Sequence, residues 1–214
     1  MRRLLTTVFT AAALLALGAT GAAATEPVPE FDFTDCPELP AGADPAQWRC
    51  EVLVSTGTLT FGRFDELPVR TMRTTFAEGT LDGKHAQVFG ALRAEPTPLP
   101  GPLPVSLRPR YAGHFDFLEN DQRKGEIDLT FALESPLLPR TCASTPVHSV
   151  VQEHGPGGPA EGHPGVGRFG LVDRQLTVPA TTGCGPLGRL VDHYLGLPSP
   201  AVHLQTVYVK MRDY

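Results

Sequence analysis

Four cysteines are the residues whose number and spacing point most directly to chemistry. They are Cys36, Cys50, Cys142 and Cys184. Outside the cytoplasm an even number of cysteines predicts two disulfides. Three pairings are possible, and we prefer Cys36–Cys50 and Cys142–Cys184, because the first closes a short segment containing Pro and Gly and the second closes a long irregular one. A zinc site is the competing interpretation, but it needs close ligand pairs such as C-x₂-C, and no two of these cysteines are that close.

Histidines suggest a second kind of chemistry, metal binding. The chain has seven of them but no H-E-x-x-H motif. The segment Glu153–His163 contains two His and two Glu, and together with His148 it could bind a divalent cation. Its many Gly and Pro residues indicate a mobile surface loop, whereas catalytic ligands need a rigid support. We therefore predict no metal and no cofactor.

Hydrolytic chemistry has no local motif in this chain. The nucleophile motif G-x-S-x-G is absent. Five acidic residues cluster around a predicted turn, but Arg123 and Lys124 belong to the same turn, which favours a solvated hairpin tip. The acidic residues are Asp116, Glu119, Asp121, Glu126 and Asp128. We predict no catalytic residues and favour a protein that is not an enzyme; a hydrolase whose site is assembled from distant residues is the alternative.

The first 24 residues have the pattern of a signal peptide. Arg2 and Arg3 precede an apolar run over Leu4–Leu17, and Ala22–Ala24 matches a cleavage site before Thr25. A membrane-spanning helix needs about 20 apolar residues, so the run is short for an anchor. We expect a secreted protein, extracellular or associated with the cell envelope, with no transmembrane segment after cleavage. The arginine pair leaves the general secretory and the twin-arginine routes both open.

The remaining chain has the pattern of a mainly β protein. Apolar and polar residues alternate over Leu103–Tyr111 and over Gly125–Glu134, which predicts strands with one buried and one wet face. Asp82-Gly83 predicts a tight hairpin turn. We expect an extended, disulfide-tied leader at residues 25–49 and one antiparallel sandwich or barrel-like domain of about eight strands at residues 50–214. The predicted strands are Cys50–Gly62, Pro68–Ala77, His85–Ala94, Leu103–Tyr111, Gly125–Glu134, Pro146–Gln152, Phe169–Val178 and Ala201–Met211.

One segment has helical spacing instead. In Gly185–Gly196 the apolar residues recur at positions i, i+3, i+4, i+7 and i+8, which places them on one face of a helix. Pro186 suits the first turn and Gly196 the C-terminal cap. We therefore predict a single short helix, tied at its start by Cys184, over an open end or face of the sheet.

Three stretches of the chain resemble small, uncharacterised secreted proteins of high-GC Gram-positive bacteria. This resemblance implies export and a single domain, and it brings no established activity or site residues. The stretches are the leader motif Cys36-Pro37 with Leu39–Gly42 and Asp44-Pro45, the segment Gln87–Ala94, and the segment Gly183–Asp192.

These observations favour a secreted, disulfide-stabilised, non-catalytic β-domain that acts as a binding or envelope-associated module. The sequence identifies no partner; an apolar small molecule and a cell-surface component are the candidates, and a cavity beneath the helix Leu187–Leu195 would suit the first. The formal net charge of −5 offers no basic excess for nucleic acid. Besides the hydrolase, a secreted protease inhibitor that presents the Pro-rich segment Glu95–Pro104 is an alternative.

Overall fold

A computed structural model describes residues 27–214, so the predicted signal peptide lies outside the described residues. The described part is mainly β, as predicted. Its thirteen strands are β1 (Trp48–Phe61), β2 (Phe64–Leu81), β3 (Lys84–Ala94), β4 (Thr97–Pro98), β5 (Ser106–Asp116), β6 (Gly125–Glu134), β7 (Ala143–Ser144), β8 (Val147–Glu153), β9 (Gly158–Pro159), β10 (Val166–Asp173), β11 (Thr177–Val178), β12 (Thr181–Thr182) and β13 (Ser199–Asp213). The helices are α1 (Gly188–Leu195) and two 3-10 turns at Pro45–Gln47 and Gly185–Leu187.

The sequence left a sandwich and a barrel-like domain of about eight strands open; residues 27–214 form thirteen strands in one curled antiparallel sheet, not a clear eight-stranded sandwich. Its eight long strands follow one another in the order β5-β6-β8-β10-β13-β1-β2-β3, and the short strands attach to this path. Side chains bridge the gap between the two outermost long strands: the Phe89 and Tyr111 rings stack 3.8 Å apart, and Gln87 Oε1 accepts a hydrogen bond from the Phe117 amide. The sheet is therefore a half-barrel with an inner and an outer face.

The hairpin and the helix form where the local sequence predicts them. β2 and β3 pair up to Leu81 and Lys84, and Asp82 and Gly83 between them both have positive φ, as a tight turn requires. A 3-10 turn leads into α1, which ends at Gly196 with φ +75°. Glycine reaches this left-handed conformation without a steric penalty, so it can end the helix there.

The extended leader lies on the outer face of the sheet. Both disulfides of the preferred pairing are present, and Cys36–Cys50 ties the leader to β1. Val28 and Phe31 pack against buried residues of the sheet's outer face, and the Asp35 carboxylate lies 2.7 Å from the Arg93 guanidinium on β3. With the leader in place, both faces of β1 are covered along most of its length.

The main core fills the half-barrel at the end that α1 covers. Val191 and Leu195 of the helix are buried against Leu59, Phe61 and other apolar side chains. The Cys142–Cys184 disulfide belongs to the same core. Apolar side chains therefore occupy the space beneath the helix where a ligand cavity was considered.

Candidate ligand-binding groove

An open groove lies on the inner face, at the opposite end of β1 from the helix. It has a volume of about 400 Å³. Seven apolar side chains from β1, β2, β8, β10, β13 and the segment after β5 line it: Leu53, Phe76, Phe117, Val151, Phe169, Leu171 and Val209. Two more, Leu118 and Met211, stand at its rim with 52% and 44% of their surface exposed. Four of the seven wall residues, Leu53, Phe76, Val151 and Leu171, form a second buried apolar cluster, so the solvent-exposed apolar surface of the groove lies mainly at its rim.

Strand alternation explains why these residues meet. Successive side chains of a strand point to opposite faces, so the odd-numbered residues of β1 from Glu51 to Ser55 share the inner face. In the ladders Leu53 lies opposite Val209 on β13, and Glu51 lies opposite both Phe76 on β2 and Met211 on β13. The groove is therefore built by register, from strands that are far apart in sequence.

A smaller cavity of about 30 Å³ continues the groove toward the core. It shares Leu53, Phe117, Val151 and Leu171 with the groove and also contacts five polar residues. Its volume suits about one water molecule. The five polar residues are Ser55, Thr74, Ser149, His203 and Gln205.

Three of the buried polar residues near this cavity form a fixed group. The Ser149 hydroxyl donates a 2.7 Å hydrogen bond to Asp173, whose carboxylate also accepts from the backbone amides of Val150 and Gln175. His203 lies opposite Asp173 in the ladder of β10 and β13, and burial lowers its pKa to about 4 against the opposing charge of Asp173. The imidazole is therefore neutral at pH 7. Because Ser149 donates to the carboxylate and not to the imidazole, this group does not have the geometry of a serine triad.

An arginine and two glutamates form the polar end of the groove. Arg49 Nε lies 2.8 Å from Glu51 Oε1 and 3.0 Å from Glu78 Oε1. The pKa shifts of the two glutamates also indicate a hydrogen bond between them. Gln87 donates to the other oxygen of Glu78 at 3.2 Å, and His85 Nε2 lies 3.6 Å from that oxygen. Only 6% of Glu51 is exposed, so this carboxyl group is largely removed from water.

The environment moves the pKa values of the two glutamates apart. Burial, assisted by the hydrogen bond and the negative charge of Glu78, raises the pKa of Glu51 to about 7, although Arg49 opposes this rise. Burial also acts to raise the pKa of Glu78, but hydrogen bonds with Glu51, Arg49 and Gln87 outweigh it and the pKa is lowered. A hydrogen bond between two carboxyl groups needs one proton, and these shifts place it on Glu51.

A second charged group completes this end. Lys124 contacts Glu119 and lies 3.0 Å from Glu153. The hydrogen bonds that the Lys124 ammonium donates to these two carboxylates raise the pKa of Lys124. Glu119 and Lys124 come from the turn expected to be a solvated hairpin tip, and in the structure both residues line the groove.

The other residues considered for chemistry lie outside the groove. Asp116 and Glu126 pair with Arg123 at 2.7 and 3.1 Å. His148 was considered as a cation ligand together with the loop Glu153–His163. In the structure His148 Nδ1 lies 2.8 Å from Asp128 instead. Within residues 27–214, no three His, Cys, Asp or Glu side chains are grouped so that they could hold a metal ion.

Sequence reasoning missed Arg49, Glu51 and Glu78 as site residues. No motif joins them, since they belong to two strands and meet only in the ladder between β1 and β2. One signal was available: Glu51 is a charged residue in a segment, Cys50–Val54, that is otherwise apolar. A charge inside a predicted buried strand indicates a candidate site, because burying a charge is costly unless it is paired.

None of the helices within residues 27–214 has the length and apolar character of a membrane span.

Comparison of the chain with protein-family models, with curated proteins and with solved structures found no match.

Proposed function

We propose that this protein is a secreted, disulfide-stabilised β-domain that binds a small apolar or amphipathic molecule in its groove. The observation that carries the proposal is the open groove of about 400 Å³ with apolar walls on the inner face of the sheet. Ligand pockets typically have volumes of about 300–1,000 Å³ and combine apolar walls with a few polar groups. The two disulfides are compatible with an oxidising compartment outside the cytoplasm.

The exposed rim supports binding from solvent. Leu118 and Met211 place apolar side chains in water at the entrance, where a bound apolar molecule would cover them. Burial of apolar surface contributes roughly 25 cal/mol per Å². A ligand that covers the rim and the wall would therefore gain free energy without a change of fold.

A hydrolase is the second candidate, because two carboxyl groups with oppositely shifted pKa values are a pattern found in acid–base catalysis. The geometry favours binding instead. Glycosidase carboxyl groups flank the scissile bond at separations of about 5–10 Å. Glu51 and Glu78 instead converge on one atom, Arg49 Nε, at 2.8 and 3.0 Å, so they do not flank a space that a substrate bond could occupy.

The protease-inhibitor alternative loses its main support. An inhibitor of this kind would present the Pro-rich segment Glu95–Pro104 as an exposed loop. In the structure Thr97 and Leu99 within it are buried, with 2% and 5% of their surface exposed, and Thr97–Pro98 pairs with β5. Thr97 and Leu99 thus anchor the segment in the fold, which limits how far it can project as a loop, although Pro98 and Pro100–Pro102 are exposed.

The proposal is tested by titrating the exported protein with N-phenyl-1-naphthylamine, an uncharged dye whose fluorescence rises in apolar surroundings. We expect saturable binding, and a loss of at least tenfold in affinity for Leu118→Glu and for Met211→Glu, because each change replaces an apolar contact with a charge. Leu137→Glu is the matched control, since Leu137 is 58% exposed and lies outside the groove. Absence of dye binding to the wild-type protein, or an equal loss in the control, would overturn the proposal.

A further inference from the structure

We propose that the groove selects an amphiphile with a primary ammonium head group, which binds Glu51 and Glu78 while the tail lies along the apolar wall. This inference rests on the proposed function and names the ligand class for the same groove. The apolar wall alone would accept any oily molecule of suitable size. The charges at its polar end decide among head groups.

Acidic groups outnumber basic groups at the polar end. Arg49 is contacted by both Glu51 and Glu78, and Lys124 by both Glu119 and Glu153. Each permanent cation therefore contacts two carboxyl groups, of which Glu51 is largely ionised only near and above its pKa of about 7. One further carboxylate, Asp213, stands opposite Arg49 on β13, and the remaining titratable group is His85 beside Glu78. The potential at this end is negative, which favours a cation and repels an anion.

The hydrogen-bonding capacity leads to the same conclusion. Arg49 already directs its Nε and one terminal nitrogen at glutamate oxygens. An anionic head group would need these donors and would also meet the carboxylates around them. Ionised carboxylates only accept hydrogen bonds, whereas an ammonium group has three N–H donors and no acceptor. A primary ammonium could therefore donate to Glu51 and to Glu78 at once.

Binding of such a head group exchanges one cation for another. Below its pKa of about 7 Glu51 holds a proton, and the arriving ammonium, which contacts both glutamates, takes the place of this proton. Below pH 7 the proton leaves Glu51 for the solvent as the ammonium binds, so one proton is released per ligand. Near and above the pKa of Glu51, about 7, the carboxyl group is largely ionised before binding and little proton release is needed.

Because ligand binding releases a proton, the affinity of the groove for an ammonium amphiphile depends on pH in a defined way. A primary alkylammonium remains protonated below about pH 9, as a lysine does. Its affinity should rise from pH 5.5 toward pH 7, by at most tenfold per pH unit, and level off above that. His85 lies beside Glu78, with Nε2 3.6 Å from its carboxylate oxygen, and is therefore included among the variants below.

The experiment compares three probes with the same tail, octylammonium, octanol and octanoate, as competitors of the uncharged dye at pH 8 and pH 5.5. At pH 8 we expect octylammonium to bind at least tenfold more tightly than octanol, and octanoate to bind most weakly. At pH 5.5 the advantage of octylammonium should shrink at least fivefold. In Glu51→Gln both the advantage of octylammonium over octanol and its pH dependence should fall.

Three further variants separate the contributions. Glu78→Gln should also reduce the preference for octylammonium, which keeps the inference testable if one glutamate variant folds poorly. His85→Gln should keep most of the pH dependence if Glu51 causes it. Glu134→Gln is the matched control, because Glu134 pairs with Arg108 and Arg110 away from the groove and should change nothing.

The outcomes distinguish this inference from the function on which it rests. If the dye and all three octyl probes bind, but with equal affinity or with octanoate tightest, the head-group inference fails and the apolar groove stands. A preference for octylammonium that survives unchanged in both Glu51→Gln and Glu78→Gln also overturns it. If neither the dye nor any probe binds, both proposals fall.

Discussion

Replacing Glu51 with Gln should make the protein more stable at pH 8 than the wild type. In the native state burial raises the pKa of this carboxyl group from 4.5 to about 7. The native state therefore holds the proton more tightly than the unfolded chain does. For such a group the native state is most favoured below the unfolded pKa, and stability declines as pH rises toward the folded pKa.

The size of this stability difference follows from the rise in the pKa of Glu51. Each pKa unit corresponds to about 1.4 kcal/mol, so the rise from 4.5 to about 7 costs the wild type up to about 3 kcal/mol of unfolding free energy at pH 8. Gln resembles the protonated carboxyl group in shape. Its oxygen can accept from Arg49 and its amide can donate to Glu78, so the variant keeps both hydrogen bonds and does not titrate.

The measurement is urea unfolding at several pH values between 5 and 8.5 with the disulfides intact. Trp48 is the only tryptophan and is 2% exposed, so its fluorescence reports unfolding. Glu78 has a lowered pKa, and the stability that it contributes is lost only as pH falls below this window. Groups common to both proteins cancel in the difference between them.

We expect the difference between Glu51→Gln and wild type to be within about 1 kcal/mol at pH 5 and to grow to about 2–3 kcal/mol in favour of the variant at pH 8. A difference that does not depend on pH would refute the assignment of the raised pKa to Glu51. A growing difference of the opposite sign would show that Glu51 is better stabilised when ionised. Glu134→Gln serves as the exposed control and should show no such growth.

Two further predictions concern stability away from the groove. Asp173→Ala should lower the unfolding free energy by about 3 kcal/mol or more, because it leaves three donors without their charged acceptor. Asp128→Ala is the control and should cost less than about 1 kcal/mol in the same urea titration. Similar costs for the two variants would show that the hydrogen bonds to Asp173 do not stabilise the fold. Thiol titration of the protein purified without reductant should find no free thiol before reduction, and Cys142→Ala with Cys184→Ala should cost about 2–4 kcal/mol. Reactive thiols in the native protein would contradict the pairing that the structure contains.

Some features could be predicted from sequence because neighbouring residues decide them. The turn at Asp82-Gly83 needs two residues that tolerate positive φ, and they are adjacent in the chain. The helix over residues 185–196 follows from the spacing of its own apolar residues and from Gly196 at its end. The pairing of Cys142 with Cys184 was one preference among three connectivities, because the positions of four cysteines do not fix which of them join.

The shape of the sheet could not be predicted in the same way. Alternation in β6 shows that one face is buried, but it does not show what covers that face. Either a second sheet or the curled remainder of the same sheet could cover the buried face of β6. The half-barrel arises because β13, from the C-terminal end, pairs with β1 on one side and β10 on the other, and such long-range pairings leave no local trace.

Local sequence accounts for the β class, the export pattern, the one hairpin turn and the one helix, because each depends on residues close together in the chain. Only the folded chain opens an apolar groove at the end of β1 away from the helix and brings Arg49, Glu51 and Glu78 together there. Contacts between strands depend on ladder register, and burial depends on the whole curl of the sheet. The pKa of Glu51 is raised by that burial and by Glu78, which the strand register places beside it. The proposed selectivity of the groove for an ammonium head group depends on these two glutamates.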